Sequence, residues 1–264
     1  MAGRLGFGIA AVLGSDVAAA LAPEVERLGY AQLWTNDGAP AAGLPLVAAA
    51  QRASARIVTG VGVIPCDLRS PGDIVAAIGE LGIDPRRAVI GIGSGRAEHP
   101  VEAVREAAAE LRRLLPQGVR LAVAALGPRM CRLAGEVADV VLLNWVTPER
   151  IRWSRRRIAE GERRGGRRPG QVVVASYVRV AVGPGARERL AAEASRYARI
   201  PAYARSFAAM AVDPGSVGIA AEDPRDVAAA LAPYREVLDE TVVRALPAAN
   251  DAASVLAVAR AAGP

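Results

Sequence analysis

The chain contains no lysine: all 33 of its basic residues other than histidine are arginines. That absence excludes Schiff-base chemistry on a lysine and a P-loop, whose lysine reaches the terminal phosphates. Histidine is nearly absent too, with His99 alone, and the two cysteines, Cys66 and Cys131, complete a very short roster of soft ligands. They are too few, and too poorly set among His and Asp, for a zinc site or a disulfide framework, and both read as buried free thiols. Aromatic residues make up only 4% of the chain. The net charge of +6 could attract nucleic acid. Yet its arginines are scattered over helical segments such as Arg152–Arg168, with few rings beside them for base stacking, so solvated helix faces or an anionic small ligand account for the charge better. No run of about 18 uncharged apolar residues is present, so no transmembrane span is expected. The N-terminal stretch MAGRLGFGIAAVLGSD mimics a signal peptide only weakly. It breaks at glycines and runs directly into a strand–helix pattern, as the first strand of a cytoplasmic protein would. No Ser/His/Asp set, paired catalytic carboxylates or metal cluster stands out. The lack of such groups points to a bound organic cofactor carrying the hard chemistry.

What is abundant is Ala, Val, Leu and Ile, within a hydrophobic content of 52% over 264 residues. Such a core suits parallel strands covered by Ala-rich helices. The Arg, Ala, Gly and Pro bias is that of a GC-rich genome, as in actinobacteria. Strand and helix signals alternate throughout. Strands are expected at 5–10, 31–35, 56–65, 88–93, 119–126, 139–145, 172–182 and 240–246. The first helix is expected from a Ser15-Asp16 cap to Gly29, the second from Pro45 to about Ser54. Others open at Pro71, near residue 101 and at Pro128, with a long helical region over 185–211 and further helices over 224–238 and 251–263. Eight strand–helix units in about 250 residues predict one closed (β/α)8 TIM barrel over residues 1–264, an α/β fold with a helical insertion before strand eight. A doubly wound open sheet is the alternative.

In such barrels the ligand lies at the carboxyl ends of the strands. Those ends carry Thr35-Asn36-Asp37, Gly60-Val61-Gly62, then Gly91 to Arg96 followed by Glu98 and His99, and Gly127, Asn144-Trp145 and Asn250-Asp251. Strand seven adds Tyr177 and Arg179, whose facing the sequence leaves open. Strand glycines mark either a close approach to the backbone or a tightly packed barrel. Gly127-Pro128 opens a helix beyond a strand end, where free N–H groups and the positive dipole end favour an anion; an ordinary turn has the same residues. The GIGSG segment fails the dinucleotide fingerprint because its sixth position is Arg96. His99 is either structural or touches ligand, and Asp37 is either a hydrogen-bonding group for a ring or a helix cap.

Five segments in order, ERLGYAQLWTND, ARIVTGVGVIPCDLRSPGDIV, RRAVIGIGSG, LAVAALGPRMCRLAGEVADVVLLNW and YARIPAYARSFAAM, resemble the luciferase-like monooxygenase superfamily. Within it the likeness is to coenzyme F420 (deazaflavin) dependent oxidoreductases similar to methylenetetrahydromethanopterin reductase. The resemblance implies a TIM barrel with the deazaflavin lying across the strand ends, and a hydride exchanged with an organic substrate, reducing a C=C or C=N bond. Carried over by motif, Asp37 lies near the cofactor. Gly62 and Val63 fall where relatives place a bulge, often with a non-proline cis peptide, behind the ring. Gly93, Ser94, Gly95 and His99 match the strand-four loop at the ring. Leu126, Gly127, Pro128, Arg129 and Met130 match the phosphate-proximal turn, and Asn144 and Trp145 the end of strand six. The proton carrier is expected among His99, Asp37 and Tyr177. No metal is implied.

Relatives that oxidise glucose 6-phosphate carry a His and a Glu where this chain has Gly38 and Arg96, and they bind the sugar phosphate with lysines, so that activity is not expected here. The chain is shorter than most relatives, which would leave an open mouth for a bulky substrate, even a peptide. The segment SRYARIPAYARSF could serve a partner, such as a second copy in a homodimer, or cap the site. An FMN-dependent monooxygenase is the alternative enzyme, and a non-catalytic flavin or deazaflavin carrier the alternative of another class.

Overall fold

The computed structural model describes residues 3–38 and 42–263. Runs of Val, Ile, Leu and Ala buried on both faces form nine parallel strands among these residues. They are β1 (Arg4–Ile9), β2 (Gln32–Thr35), β3 (Val58–Pro65), β4 (Ala88–Gly93), β5 (Arg120–Ala124), β6 (Val140–Asn144), β7 (Val173–Val182), β8 (Ile219–Ala221) and β9 (Glu240–Ala245). Eight of them close on themselves in the order β1-β2-β3-β4-β5-β6-β7-β9 and back to β1. This is the expected TIM barrel. The ninth, β8, was not anticipated: it is three residues long and pairs outside the cylinder with Val180–Val182 of β7. So short a segment carries no periodicity to read.

The helices are α1 (Gly14–Arg27), α2 (Gly43–Ala53), α3 (Pro71–Glu80), α4 (Pro100–Leu114), α5 (Pro128–Val137), α6 (Pro148–Arg164), α7 (Ala186–Ala198), α8 (Pro201–Met210), α9 (Val227–Val237) and α10 (Ala252–Ala261). Pro71, Pro100, Pro128, Pro148 and Pro201 each open a helix, where the missing N–H costs nothing. Ser70 and Asp73 form a reciprocal capping box on α3, and Thr147 caps α6. Two expected starts shift. Helix α1 begins at Gly14 with no side-chain cap, so Ser15-Asp16 lies inside its first turn. Helix α2 begins at Gly43 rather than Pro45, because the Asp37 carboxylate accepts a bond from the Gly43 N–H at 2.6 Å. Helices α7 and α8 with β8 and α9 form the insertion between β7 and β9.

Strand alternation sends every second side chain to the barrel axis. At the amino end, Glu240 accepts bonds from Trp34 Nε1 and Gln32 Nε2, each at 2.7 Å. Trp34 fills the middle with Val89, Ala122, Val140, Leu142 and Tyr177. Gly60 makes room for it: a Cβ there would lie 2.6 Å from Trp34 Cδ2. Toward the carboxyl end the axis is lined by Asn36, Gly62, Gly93, Ala124, Asn144, Arg179 and Arg244.

Candidate active site

The carboxyl mouth of the barrel has two unlike halves. Strands β3, β4 and β5 present small groups. The Gly62–Val63 peptide bond is cis, and the pairing register shifts between Val61 and Ile64. This turns Val63 inward over β4, where a Cβ on Gly93 would lie 2.8 Å from a Val63 methyl. A Cβ on Gly62 would lie 2.7 Å from Tyr177 Oη. The space left by Gly60 and Gly62 is therefore filled by Trp34 and Tyr177, the tight-packing alternative for these strand glycines. The neighbouring loops are tied together: Cys66 N–H bonds to the Gly93 carbonyl at 2.9 Å, and Arg96 N–H to the Asp67 carboxylate at 3.0 Å. Ser94 is half-buried, and Gly95, at φ 56°, is exposed.

The other half, from β2, β6, β7 and β9, is polar. Tyr177 Oη donates to the Thr35 carbonyl at 3.3 Å, and burial raises its pKa well above that of a free phenol. Arg179 donates to Asn144 Oδ1, and Asn144 Nδ2 donates to Tyr203 Oη at 2.7 Å. Burial pushes the Tyr203 pKa up to about 12, with Tyr197 adding to the rise. The Arg179 guanidinium lies 4.5 Å from the Trp145 ring centre and 4.9 Å from that of Tyr197. Arg244 donates to Asn36 Oδ1 at 3.3 Å. Burial and the neighbouring Arg179 both lower its pKa.

Over this half lies the aromatic cluster of Trp145, Tyr197, Phe207 and Tyr203. The Tyr197 and Tyr203 rings meet edge to face at 4.8 Å, and Trp145 lies 5.3 Å from Tyr197. The segment SRYARIPAYARSF thus caps the barrel within its own chain. The open mouth expected from the short chain is roofed on its β6 and β7 side. Trp145, at φ 55°, is buried in that roof, and its indole N–H has no partner among the described residues.

The predicted residues divide accordingly. Asn144 and Tyr177 converge with Asn36, Arg179 and Arg244 at the polar half. Gly62, Val63 and Gly93 form the apolar half, with Ser94 and Gly95 at its edge. Gly127 caps α5 with no side chain, and a Cβ there would meet nothing within 4 Å, so the turn is open. Leu126 offers its carbonyl to Arg150 at 3.4 Å, Met130 is half-buried, and exposed Arg129 pairs with Glu102 at 3.5 Å. That pair sets the start of α5 beside the start of α4, where His99 is exposed and its ring bonds to no described residue. Asp37 stands apart. Its side chain is 1% exposed, with one oxygen on Gly43 N–H and the other on Arg69 Nε at 3.2 Å. Of the two readings left open for Asp37, this geometry is that of the helix cap. Arg244 was missed, and Asn36 at its strand end and Tyr197 and Tyr203 in the capping segment were named only as parts of those stretches. Arginine inside the otherwise apolar runs VVVASYVRVAV and ETVVRAL was the available signal, since a charge in a strand buried on both faces must point along the axis to a mouth. Cys66 and Cys131 are unpaired thiols whose pKa values burial raises to about 11, which makes them poor nucleophiles. Among the described residues no group of acidic, His and Cys side chains could hold a metal, and no helix is long and apolar enough to cross a membrane.

Residues 104–241 match the family described as luciferase-like monooxygenase. The chain belongs to that family. It is 30% identical over 154 residues to a 5,10-methylenetetrahydromethanopterin reductase of Methanolobus tindarius, covering 46% of this chain and 47% of that protein. The luciferase-like chain thus spans about half the length of that curated relative. Its backbone is similar to that of an F420-dependent secondary alcohol dehydrogenase solved with an F420–acetone adduct, with TM-score 0.77 and 15% identity over all of both chains. It is similar also to the oxygenating component of 3,6-diketocamphane monooxygenase from Pseudomonas putida, solved with FMN. There the TM-score is 0.67 and the identity 14%, over 100% of this chain and 99% of the other.

Proposed function

We propose that this luciferase-like barrel is an oxidoreductase that exchanges a hydride between deazaflavin (coenzyme F420) and an organic substrate, reducing a C=C or C=N bond. The observation that carries the reading is the two-sided mouth: a small-residue wall for a flat ring faces a polar wall for what reacts with it. The likeness to a reductase and to an F420-dependent dehydrogenase supports the choice of cofactor. The residues present fit such a group. The turn at Leu126–Met130 is open and capped by no side chain, with the backbone N–H groups of Arg129 and Met130 available to a phosphate and the exposed Arg129, paired with Glu102, beside it. Gly62, Val63, Gly93, Ser94 and Gly95 would back the ring, and Asn144 and Trp145 would flank it from the end of β6. Bound deazaflavin supplies a hydride from a ring carbon. The protein holds substrate and ring within about 3–3.5 Å and excludes water from the polar half with Tyr197 and Tyr203.

Three side chains were candidates to move the proton. Asp37 is engaged as a helix cap. Tyr177, its pKa raised, stays neutral and orients through its hydroxyl. His99, exposed on the strand-four loop, is the group we assign as proton carrier. Replacing it, His99→Ala, is expected to lower turnover at least several-fold with the melting temperature unchanged; a collapse in melting with normal turnover per folded molecule would make it structural. The cofactor is tested by titrating the purified protein with deazaflavin and with FMN. Micromolar deazaflavin affinity without FMN binding supports the proposal. Tight FMN binding with oxygen uptake would replace it with the monooxygenase reading, which the diketocamphane enzyme's shared architecture favours. Deazaflavin binding without turnover on any acceptor would leave a carrier.

A further inference from the structure

Arg179 and Arg244 are direct register partners on the adjacent strands β7 and β9. Both point into the barrel mouth, and Arg179 is 3% exposed. Two like charges on neighbouring strands, largely removed from water, are costly unless something of opposite sign meets them. Neither arginine forms a salt bridge among the described residues. The acidic group that acts on Arg244 through space, Glu193, is itself paired with Arg196, and the buried Glu240 lies at the opposite end of the barrel between Trp34 and Gln32. Each guanidinium has five N–H donors, and each gives one to a neutral asparagine, Asn144 for Arg179 and Asn36 for Arg244. Arg179 Nε is buried with no partner among the described residues. The two aromatic faces beside Arg179 stabilise its charge but leave its in-plane donors free.

We propose that Arg179 and Arg244 form an oxyanion subsite at the barrel mouth, which binds a carboxylate or phosphate group of the substrate. Two guanidinium forks on strands about 4.8 Å apart offer parallel N–H pairs to the oxygens of one such group. The half-buried Arg244 side is the route in, and the tyrosines over Arg179 close behind. The substrate is then anionic, anchored across the mouth from the small-residue wall. The word substrate here rests on the oxidoreductase reading; the anion site itself does not.

The test is thermal melting and calorimetric titration of the purified protein with benzoate and with inorganic phosphate, at ionic strength held constant with chloride and without any deazaflavin. Benzamide serves as the uncharged control. Expected is a saturable rise in melting temperature on the order of 3 °C with at least one of the anions and none with benzamide. Arg244→Gln and Arg179→Gln are each expected to abolish that rise while melting no lower than the parent when anion is absent, because a buried like-charge contact has been removed. An equal rise in the parent and both variants would overturn the subsite, as would no rise with either anion. A parallel deazaflavin titration separates the two readings. Anion stabilisation without deazaflavin binding keeps the subsite and removes the cofactor proposal. Deazaflavin affinity lost in both variants, with no response to free anions, assigns the arginines to the cofactor and overturns the substrate subsite.

Discussion

At the amino end of this luciferase-like barrel a single buried carboxylate, Glu240, is surrounded by donors: Trp34 and Gln32 bond to it, and Arg4 and Arg120 act on it from nearby. At the carboxyl end the buried Arg179 and the half-buried Arg244 lie side by side on neighbouring strands, each bonded to an asparagine, with aromatic faces beside Arg179. Both ends place charge on the axis, yet one satisfies it from within the chain and the other leaves donors over. A polar network closed on itself specifies packing, while one with unmatched donors is a binding surface waiting for its complement. The comparison separates stability from function along one axis, strand by strand, as expected for barrels that keep chemistry at the carboxyl ends.

The largest effects belong to the closed end. Trp34→Ala removes the plug of the interior and one donor to Glu240, and is expected to cost about 3–5 kcal/mol in urea denaturation. Gly60→Ala forces a methyl against the Trp34 ring and is expected to cost about 1–3 kcal/mol by the same measurement. A stability loss from either that matched a mouth variant such as Arg244→Gln would erase the distinction between the ends. Glu240→Gln sharpens it through pH. Burial raises the Glu240 pKa above its unfolded value, so the folded state binds its proton more readily, and the native protein loses stability as pH rises from the ordinary carboxylate range through the raised value. The glutamine variant lacks that slope, and its new amide can donate to Gln32 Oε1, which has no partner among the described residues. Its melting temperature is therefore expected to gain on the parent as pH rises from 4 to 8. A constant gap would show Glu240 to titrate normally. The smallest stability effect is at the open end. Gly127→Asp supplies a favoured cap to α5 and is expected to raise stability by about a few tenths of a kcal/mol, while under the proposed function its carboxylate is expected to weaken deazaflavin binding. Unchanged affinity in the folded variant would remove the phosphate assignment.

Much of the barrel was legible because its strands are short apolar runs and its helices open on proline. Where the reading shifted, the cause was nonlocal. Asp37 caps α2 from six residues upstream of Gly43, and β8 exists only because β7 extends past the end of β6 to receive it. The site was less legible for the same reason. Gly60 and Gly62 owe their small size to Trp34 and Tyr177 from other strands, which no local pattern reveals. Tyr177 and Arg179 could not be oriented from their own strand, since β7 is buried on both faces and alternation has no polar side to mark. Arg244 was marked in the sequence only as a charge inside an apolar run, and strand register is what sets it beside Arg179.

The roof over the polar half has a consequence for how such a protein diversifies. Trp145, Leu190, Ala194, Phe207 and Val217 pack into a small apolar nucleus of their own, distinct from the main core. The stretch from α7 to β8 can therefore be exchanged or remodelled as a module, changing which molecules gain entry, while the cylinder beneath keeps its architecture.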